Sequence, residues 1–241
     1  MSNTWWIWRR DLGSYFRSPL GYIIIAAALA LDGLLFNAYA VGSGSAKSED
    51  VLTAFFFLAS GVNAAASIFI AMRLIAEERQ LGTLTLITTS PVRDWQLVLG
   101  KFLSAVTVVS VLTLLTAYMP LLVLINGKVS LSHILAGYLG LLLISSAVVA
   151  LGLFASALAP NQLIALVLGA LLVGVFWLFW LVSKIASPPI EDLVAYLSLH
   201  DKHFRPFMRG LVSTQDIIFY ISLVYVSLVA TTRVMEARRW R

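Results

Sequence analysis

Six apolar stretches, each close to the length of a bilayer crossing, take up most of this 241-residue chain. They are Leu20–Ala40, Val51–Met72, Phe102–Ile125, Leu131–Leu158, Leu163–Val182 and the shorter Ile217–Thr232. A crossing takes ~20 apolar residues, so six spans leave room for little else. Each span is expected to be a helix, because a helix pairs its own backbone amides where hydrocarbon offers no partner. The expected fold class is therefore all-α, a polytopic membrane protein with six transmembrane helices. Charged residues make up only 12% of the chain, about half the roughly 25% of a soluble domain. A large catalytic domain on either side of the membrane is excluded on these grounds. A nucleic-acid binder is also disfavoured, although the net charge is +5, because the cations sit in short gaps between apolar blocks, where head groups lie. With no cysteine, disulfides, thiolate metal sites and thiol nucleophiles drop out.

The first block invites a second reading as a cleaved signal peptide, with Ala38-Tyr39-Ala40 as the small-residue cleavage site. Its apolar run exceeds the ~7–15 residues of a signal core, so it is read as a retained span. An even number of spans puts both termini on one side. That side would hold Arg9, Arg10, Arg17, Arg73, Arg79, Arg93, Lys101, Arg233, Arg238, Arg239 and Arg241. The other would hold Lys47, Lys128, Lys184, Lys202, Arg205 and Arg209. The excess of cations predicts cytoplasmic termini. Residues 1–241 read as one membrane domain, with an arm over 1–18, a cytoplasmic loop over 73–101 and an outer loop over 183–216.

In the arm, Trp5, Trp8, Leu12, Tyr15 and Phe16 fall within about 100° on a helical wheel, the width of an apolar stripe. Arg10 and Arg17 lie off it, with Ser14 and Asp11 beyond. Such a helix is expected to lie in the membrane interface, and Ser18-Pro19 ends it. It reads either as a plain anchor or as an elbow that passes force to the first span.

The loop reads RLIAEERQLGTLTLITTSPVRDWQLVLGK over residues 73–101. Residues 81–87 are apolar where a solvated loop is polar, and charges of both signs flank them. Ser90-Pro91 has the form of a helix start, with Val92, Trp95, Val98 and Leu99 on one face. An apolar helix in cytosol needs a cover, either a partner or its own bundle.

The residues Glu78, Arg79, Gly82, Thr83, Leu84, Leu86, Ser90, Pro91, Val92, Gly100 and Lys101 resemble the loop of ABC-transporter permeases of the second exporter superfamily (ABC-2 type). Thr85 departs from that pattern, where many relatives carry glutamate. The tail (Tyr196-Leu197-Ser198, His203-Phe204, Phe207, Arg209-Gly210, Asp216, Tyr220 and Glu236–Trp240) and the opening Phe16–Tyr22 are similar to the gliding-motility (GldF-like) branch. The resemblance implies a permease in the bacterial inner membrane that dimerises with a second copy or a related permease. A separate cytosolic ATPase would drive it. A coupling helix between spans two and three would dock on that ATPase through Leu81, Gly82, Thr83, Leu84, Leu86 and Ile87, with Glu78, Arg79 and Arg93 as charged flanks. It also implies short outer-face helices between spans five and six, near the exit of the path, and admits an outer-face auxiliary subunit. An ordinary lid on the bundle is the alternative for that segment.

No G-x-x-x-x-G-K-[ST] loop is present, since Gly100-Lys101 lacks the upstream glycine and Phe102 follows. ATP and Mg²⁺ are therefore expected on the partner ATPase, with no cofactor on this chain. His133, His200 and His203 sit at or beyond the ends of apolar blocks, which removes histidine-ligated haem. His200 and His203, near Asp201, keep open a metal-assisted intramembrane enzyme, although no H-E-x-x-H exists. A non-transporting membrane anchor for an outer-face protein is a third reading. Within the spans, Asp32 and Asn63 are candidates for the pathway or its gate, with structural hydrogen bonding the alternative. Phe204, Phe207 and Arg209 are candidate gate residues of the outer loop. Gly152 with Ser156 and Ala165 with Gly169 are read as close-packing pairs.

Overall fold

The computed structural model describes residues 3–41, 48–83, 92–127, 129–185 and 190–239. Among the described residues there is no strand. The helices are α1 (Asn3–Arg17), α2 (Pro19–Leu35), α3 (Ser48–Ala71), α4 (Ala76–Gln80), α5 (Asp94–Leu115), α6 (Tyr118–Asn126), α7 (Leu131–Leu158), α8 (Gln162–Ser183), α9 (Ile190–Tyr196), α10 (Arg205–Met208) and α11 (Thr214–Arg239). Six stretches are long and apolar enough to cross a membrane: Pro19–Ala38, Ser48–Gln80, Asp94–Ile125, Leu131–Leu158, Gln162–Ser183 and Thr214–Arg238. The chain is thus an all-α, multi-pass membrane protein, as the apolar blocks require.

α7 is the axis of the bundle, packed against α3, α5, α8 and α11. Missing side chains let it serve so many neighbours. A methyl at Gly137 would overlap the ring of Phe56, at Gly140 it would lie 2.6 Å from Cβ of Phe207, and at Gly152 2.6 Å from Cβ of Ala71. α2, α8 and α11 instead turn much apolar surface outward, including Ile23, Leu34, Leu163, Leu171 and Tyr225. That pattern fits contact with lipid or with another membrane chain.

Three spans differ in outline from the expectation. The first ends in a π-helical turn, Phe36–Val41. The third breaks at Thr116-Ala117, between α5 and α6. Pro120 offers no amide to Thr116 O and its ring clashes one turn back; Thr116 O accepts from Met119 N at 3.0 Å instead, and the Thr116 hydroxyl donates to Thr113 O at 2.7 Å. The second passes its expected end at Met72, turns over 72–75, and resumes as α4.

The arm differs more. Its buried residues are Thr4, Ile7, Asp11 and Tyr15, a row at helical spacing that packs along α5. Of the expected stripe, Trp5 and Phe16 are exposed, while Trp8 donates from Nε1 to Thr107 Oγ1 at 3.1 Å. One face of α1 is therefore docked on protein, with the aromatic edge beside it left outward. On the helical wheel Asp11 falls among the polar residues, because its partner Lys101 lies ninety positions away.

Candidate functional site

The densest cluster of charge lies at the end of the bundle that carries α1, the 73–101 segment and the C-terminal turns of α11. This is called the arm end below. Lys101, on the second turn of α5, is buried with 2% of its surface exposed. Its Nζ donates to Asp11 Oδ2 of α1 at 3.1 Å and lies 2.8 Å from Glu78 Oε1 of α4. Arg10 closes the ring, 2.8 Å from Asp11 Oδ1 and 2.9 Å from Glu78 Oε1. Two cations and two carboxylates balance, the condition for ions to persist away from water. Gly100 brings the arm close enough for this, because a Cβ there would meet Ile7 Cγ2 at 2.8 Å and Thr4 O at 3.1 Å. Tyr15 lies beside this cluster, and burial pushes its hydroxyl well above the usual phenol range. The cluster opens on a cleft of about 260 Å³ bounded by α1 and the turn at 72–75.

That turn leaves backbone groups without helical partners, and side chains from other elements meet them. Tyr15 donates to Ile70 O at 3.0 Å. Ser156 of α7 accepts from Ile75 N at 3.1 Å and Ala76 N at 2.9 Å, and donates to Met72 O at 3.1 Å. A break without proline is thus braced by one hydroxyl, which satisfies groups that hydrocarbon could not. The sequence marks Ser156 only as a small residue in a close-packing pair, and its neighbours in sequence give no sign of the larger role. Arg73 pairs with Glu77 one turn on, at 2.7 Å.

The candidate coupling residues fall into two sets. Glu78 joins the cluster above. Arg79 reaches the C-terminal carbonyls of α7, donating to Ala157 O at 2.9 Å and also to Ala159 O. α11 bonds there too, through Arg238 to Leu158 O at 2.8 Å. Leu81 is 69% exposed. Gly82 takes φ +72°, a left-handed conformation that ends α4 and favours glycine. Thr83 donates to Glu78 O at 3.2 Å. Arg93 is exposed and precedes α5, its N–H donating to Gln96 Oε1 at 3.3 Å. Leu84, Leu86, Ile87 and the Ser90-Pro91 helix start lie outside the described residues. Within those described, the helix into the third span begins at Asp94, and Trp95 is half exposed while Val98 is buried.

The candidate pathway residues are spread along the bundle. Asp32 is buried and its Oδ2 has no hydrogen-bond partner among the described residues. Asn63 donates from Nδ2 to Thr113 Oγ1 at 3.0 Å, which joins α3 to α5, and its Oδ1 is likewise unpartnered. At the far end, Phe204 and Phe207 are wholly buried in the core beside Gly140, and Arg209 is exposed. α9 and α10 are the short helices expected between the fifth and sixth spans.

The histidines hold this far-end segment to the spans. His203 lies 2.7 Å from Asp216 Oδ1 through Nδ1 and 2.8 Å from Tyr196 O through Nε2, stacked on Phe219. Tyr220 donates to Leu199 O at 2.7 Å. His200 faces Ser60 Oγ at 3.0 Å and stacks on Trp177, and burial lowers its pKa to about 4. His133, in the first turn of α7, bonds Met208 O at 2.7 Å. The described residues contain no group of three ligands able to hold a metal ion.

No curated protein matches the chain. A family model described as ABC-2 family transporter protein matches residues 36–207. It takes in the second to fifth spans, the loop between the second and third, and most of the far-end segment. Permeases of this family normally work with an ABC ATPase subunit. With well over half of its length matched, and with six apolar helices of the right length, the chain belongs to the ABC-2 transporter family.

Proposed function

We propose that this chain is the permease subunit of an ATP-driven ABC complex, paired with a second permease copy and moved by a separate cytosolic ATPase that binds ATP and Mg²⁺. The observation that carries the reading is the wiring of the arm end. Both ends of the 73–101 segment are tied into the bundle: Lys101 holds Glu78 of α4 and Asp11 of α1 together, and Arg79 grips the end of α7. A push on residues 81–87 would therefore reach the arm and the second, third and fourth spans together. Leu81, largely exposed at the start of that segment, fits the apolar contact an ATPase would cover.

The far-end segment supports the gliding-motility branch. Of its resemblance residues, His203 bonds both Asp216 and Tyr196 O, and Tyr220 ties the same segment to the sixth span through Leu199 O. The output is export or force transfer to an outer-face partner. The membrane is the bacterial inner membrane, with cytoplasmic termini. A metal-assisted enzyme is the weaker reading, because His200 and His203 are engaged by different partners, Ser60 for one and Asp216 with Tyr196 O for the other.

The test is Leu81→Asp, and in parallel Leu84→Asp, in chain co-expressed with the ATPase that purifies with it. Normal membrane insertion with loss of co-purification, or of the permease-dependent part of ATP hydrolysis, is the expected result. Unchanged coupling in both variants would overturn the assignment.

A further inference from the structure

On the arm-end half of the bundle an open groove of about 320 Å³ runs between α5 and α11. Trp95 and Leu99 form one wall and Tyr225 and Val229 the other, with Arg233 and Glu236 at the mouth. Tyr225 and Arg233 are eight residues apart on α11, so the apolar part is ~12 Å long at 1.5 Å per residue. One leaflet of hydrocarbon is ~15 Å deep, half of the ~30 Å core. The groove therefore matches a single leaflet, apolar at its inner end and charged where head groups begin. Trp95, 47% exposed, stands beside the mouth, at the depth where tryptophan is enriched in membrane proteins. The mouth carries both signs, with Arg233 Nη1 3.0 Å from Glu236 Oε2 and both side chains open to solvent. A helix of another chain would cross both leaflets and gain little from a charged mouth at one end of a one-leaflet groove.

We infer that the groove holds one acyl chain of a phosphoethanolamine lipid from the arm-end leaflet, its phosphate on Arg233 and its ammonium on Glu236. The zwitterionic head group complements the ion pair, and the chain covers apolar wall that nothing else in the described residues covers. One wall, Trp95 and Leu99, belongs to the last turns of the 73–101 segment, but the site uses none of residues 81–87 and does not depend on their coupling role.

The test is native mass spectrometry of the full-length protein in detergent. It is offered equal amounts of dioleoyl phosphatidylethanolamine, dioleoyl phosphatidylglycerol and dioleoylglycerol. The ethanolamine lipid is expected to be retained about tenfold over dioleoylglycerol, the size of one charge-assisted hydrogen bond, and also above the glycerol lipid. Arg233→Gln is expected to remove most of its advantage over dioleoylglycerol, leaving only what the Glu236 contact supplies. Glu236→Gln is expected to erase its advantage over phosphatidylglycerol. Val229→Trp, which fills the groove, is expected to lower all three. Arg233 and Glu236 are exposed, so their variants read the site even where Val229→Trp does not fold. Equal retention of the three lipids by the unaltered protein would overturn the inference. So would undiminished binding in a folded Val229→Trp variant. A change from dimer to monomer in that variant, with lipid retention unaltered, would assign the groove to a second copy and overturn it as well.

Discussion

His200 shows how one side chain sets a pH limit on the far-end segment. The Ser60 hydroxyl donates its proton to Phe57 O at 2.7 Å, so its oxygen accepts from His200 Nε2–H and the neutral ring already satisfies the contact. Burial opposes a charge there and lowers the pKa to about 4. Arg205 acts in the same direction, and Asp201 opposes both. Between the ordinary histidine value and about 4, the unfolded chain binds a proton that the folded chain does not. Stability is therefore full above roughly pH 6.5 and is lost as the pH falls toward 4, by of order 3 kcal/mol for this one group. Thermal unfolding in detergent at pH 7.5 and 4.5 is expected to show a drop that His200→Gln reduces. An equal drop in that variant would place the sensitivity elsewhere. Lys101 is the corresponding residue at the arm end. Lys101→Met leaves the two carboxylates Asp11 and Glu78 with only the half-exposed Arg10 between them, and is expected to cost about 3 kcal/mol, as removal of one member of a buried ion pair does. Arg10→Ala, at a half-exposed position, is expected to cost about 1 kcal/mol or less. Denaturant unfolding of the two variants side by side checks the ranking.

At the level of elements, the sequence was legible where one helix carries its own reason and illegible where the reason lies on another helix. The six spans could be read because a bilayer imposes a length, and only apolar runs meet it. The break after Ala71 could not, since neither Met72 nor Ile75 is a proline or glycine and the brace, Ser156, stands over eighty residues away. The docked face of α1 was missed for the same reason, because Asp11 is polar until Lys101 is known to face it. Of the glycines in the 73–101 pattern, Gly82 has a local explanation, a left-handed turn, whereas the reason for Gly100 is again distant, a close approach to Thr4 and Ile7 of α1. Ser156→Ala tests the brace. It strips two backbone N–H groups and one carbonyl of their partner in a buried place, and each such loss costs ≈ 1–3 kcal/mol unless water enters. The expected result is a lowered unfolding temperature, together with faster amide exchange at Ile75 and Ala76 than in the unaltered protein. Unchanged exchange at those two amides would show that the turn holds itself.

For the whole molecule, the decisive quantity is which end faces the cytosol, because a coupling segment on the wrong side cannot meet an ATPase. Arg9, Arg10, Arg73, Arg79, Lys101 and Arg93 cluster around the arm end. The far end carries fewer cations, most of them between Lys184 and Arg209. Positively charged flanks stay on the cytoplasmic side during insertion, so the proposed orientation has the arm end inward and α9 and α10 outward. The absence of native cysteine makes the orientation directly measurable. Single cysteines in place of Arg93 and Lys202, both exposed, are each treated with a membrane-impermeant maleimide. The Lys202→Cys protein is expected to label with the outer face alone accessible, and the Arg93→Cys protein only after the inner membrane is opened. The reverse pattern would put residues 81–87 outside the cell, beyond the reach of any cytosolic ATPase. Labelling of both from one side would mean an even number of crossings between them, and α5 to α8 would then have to be threaded differently from the three spans that now separate the two positions.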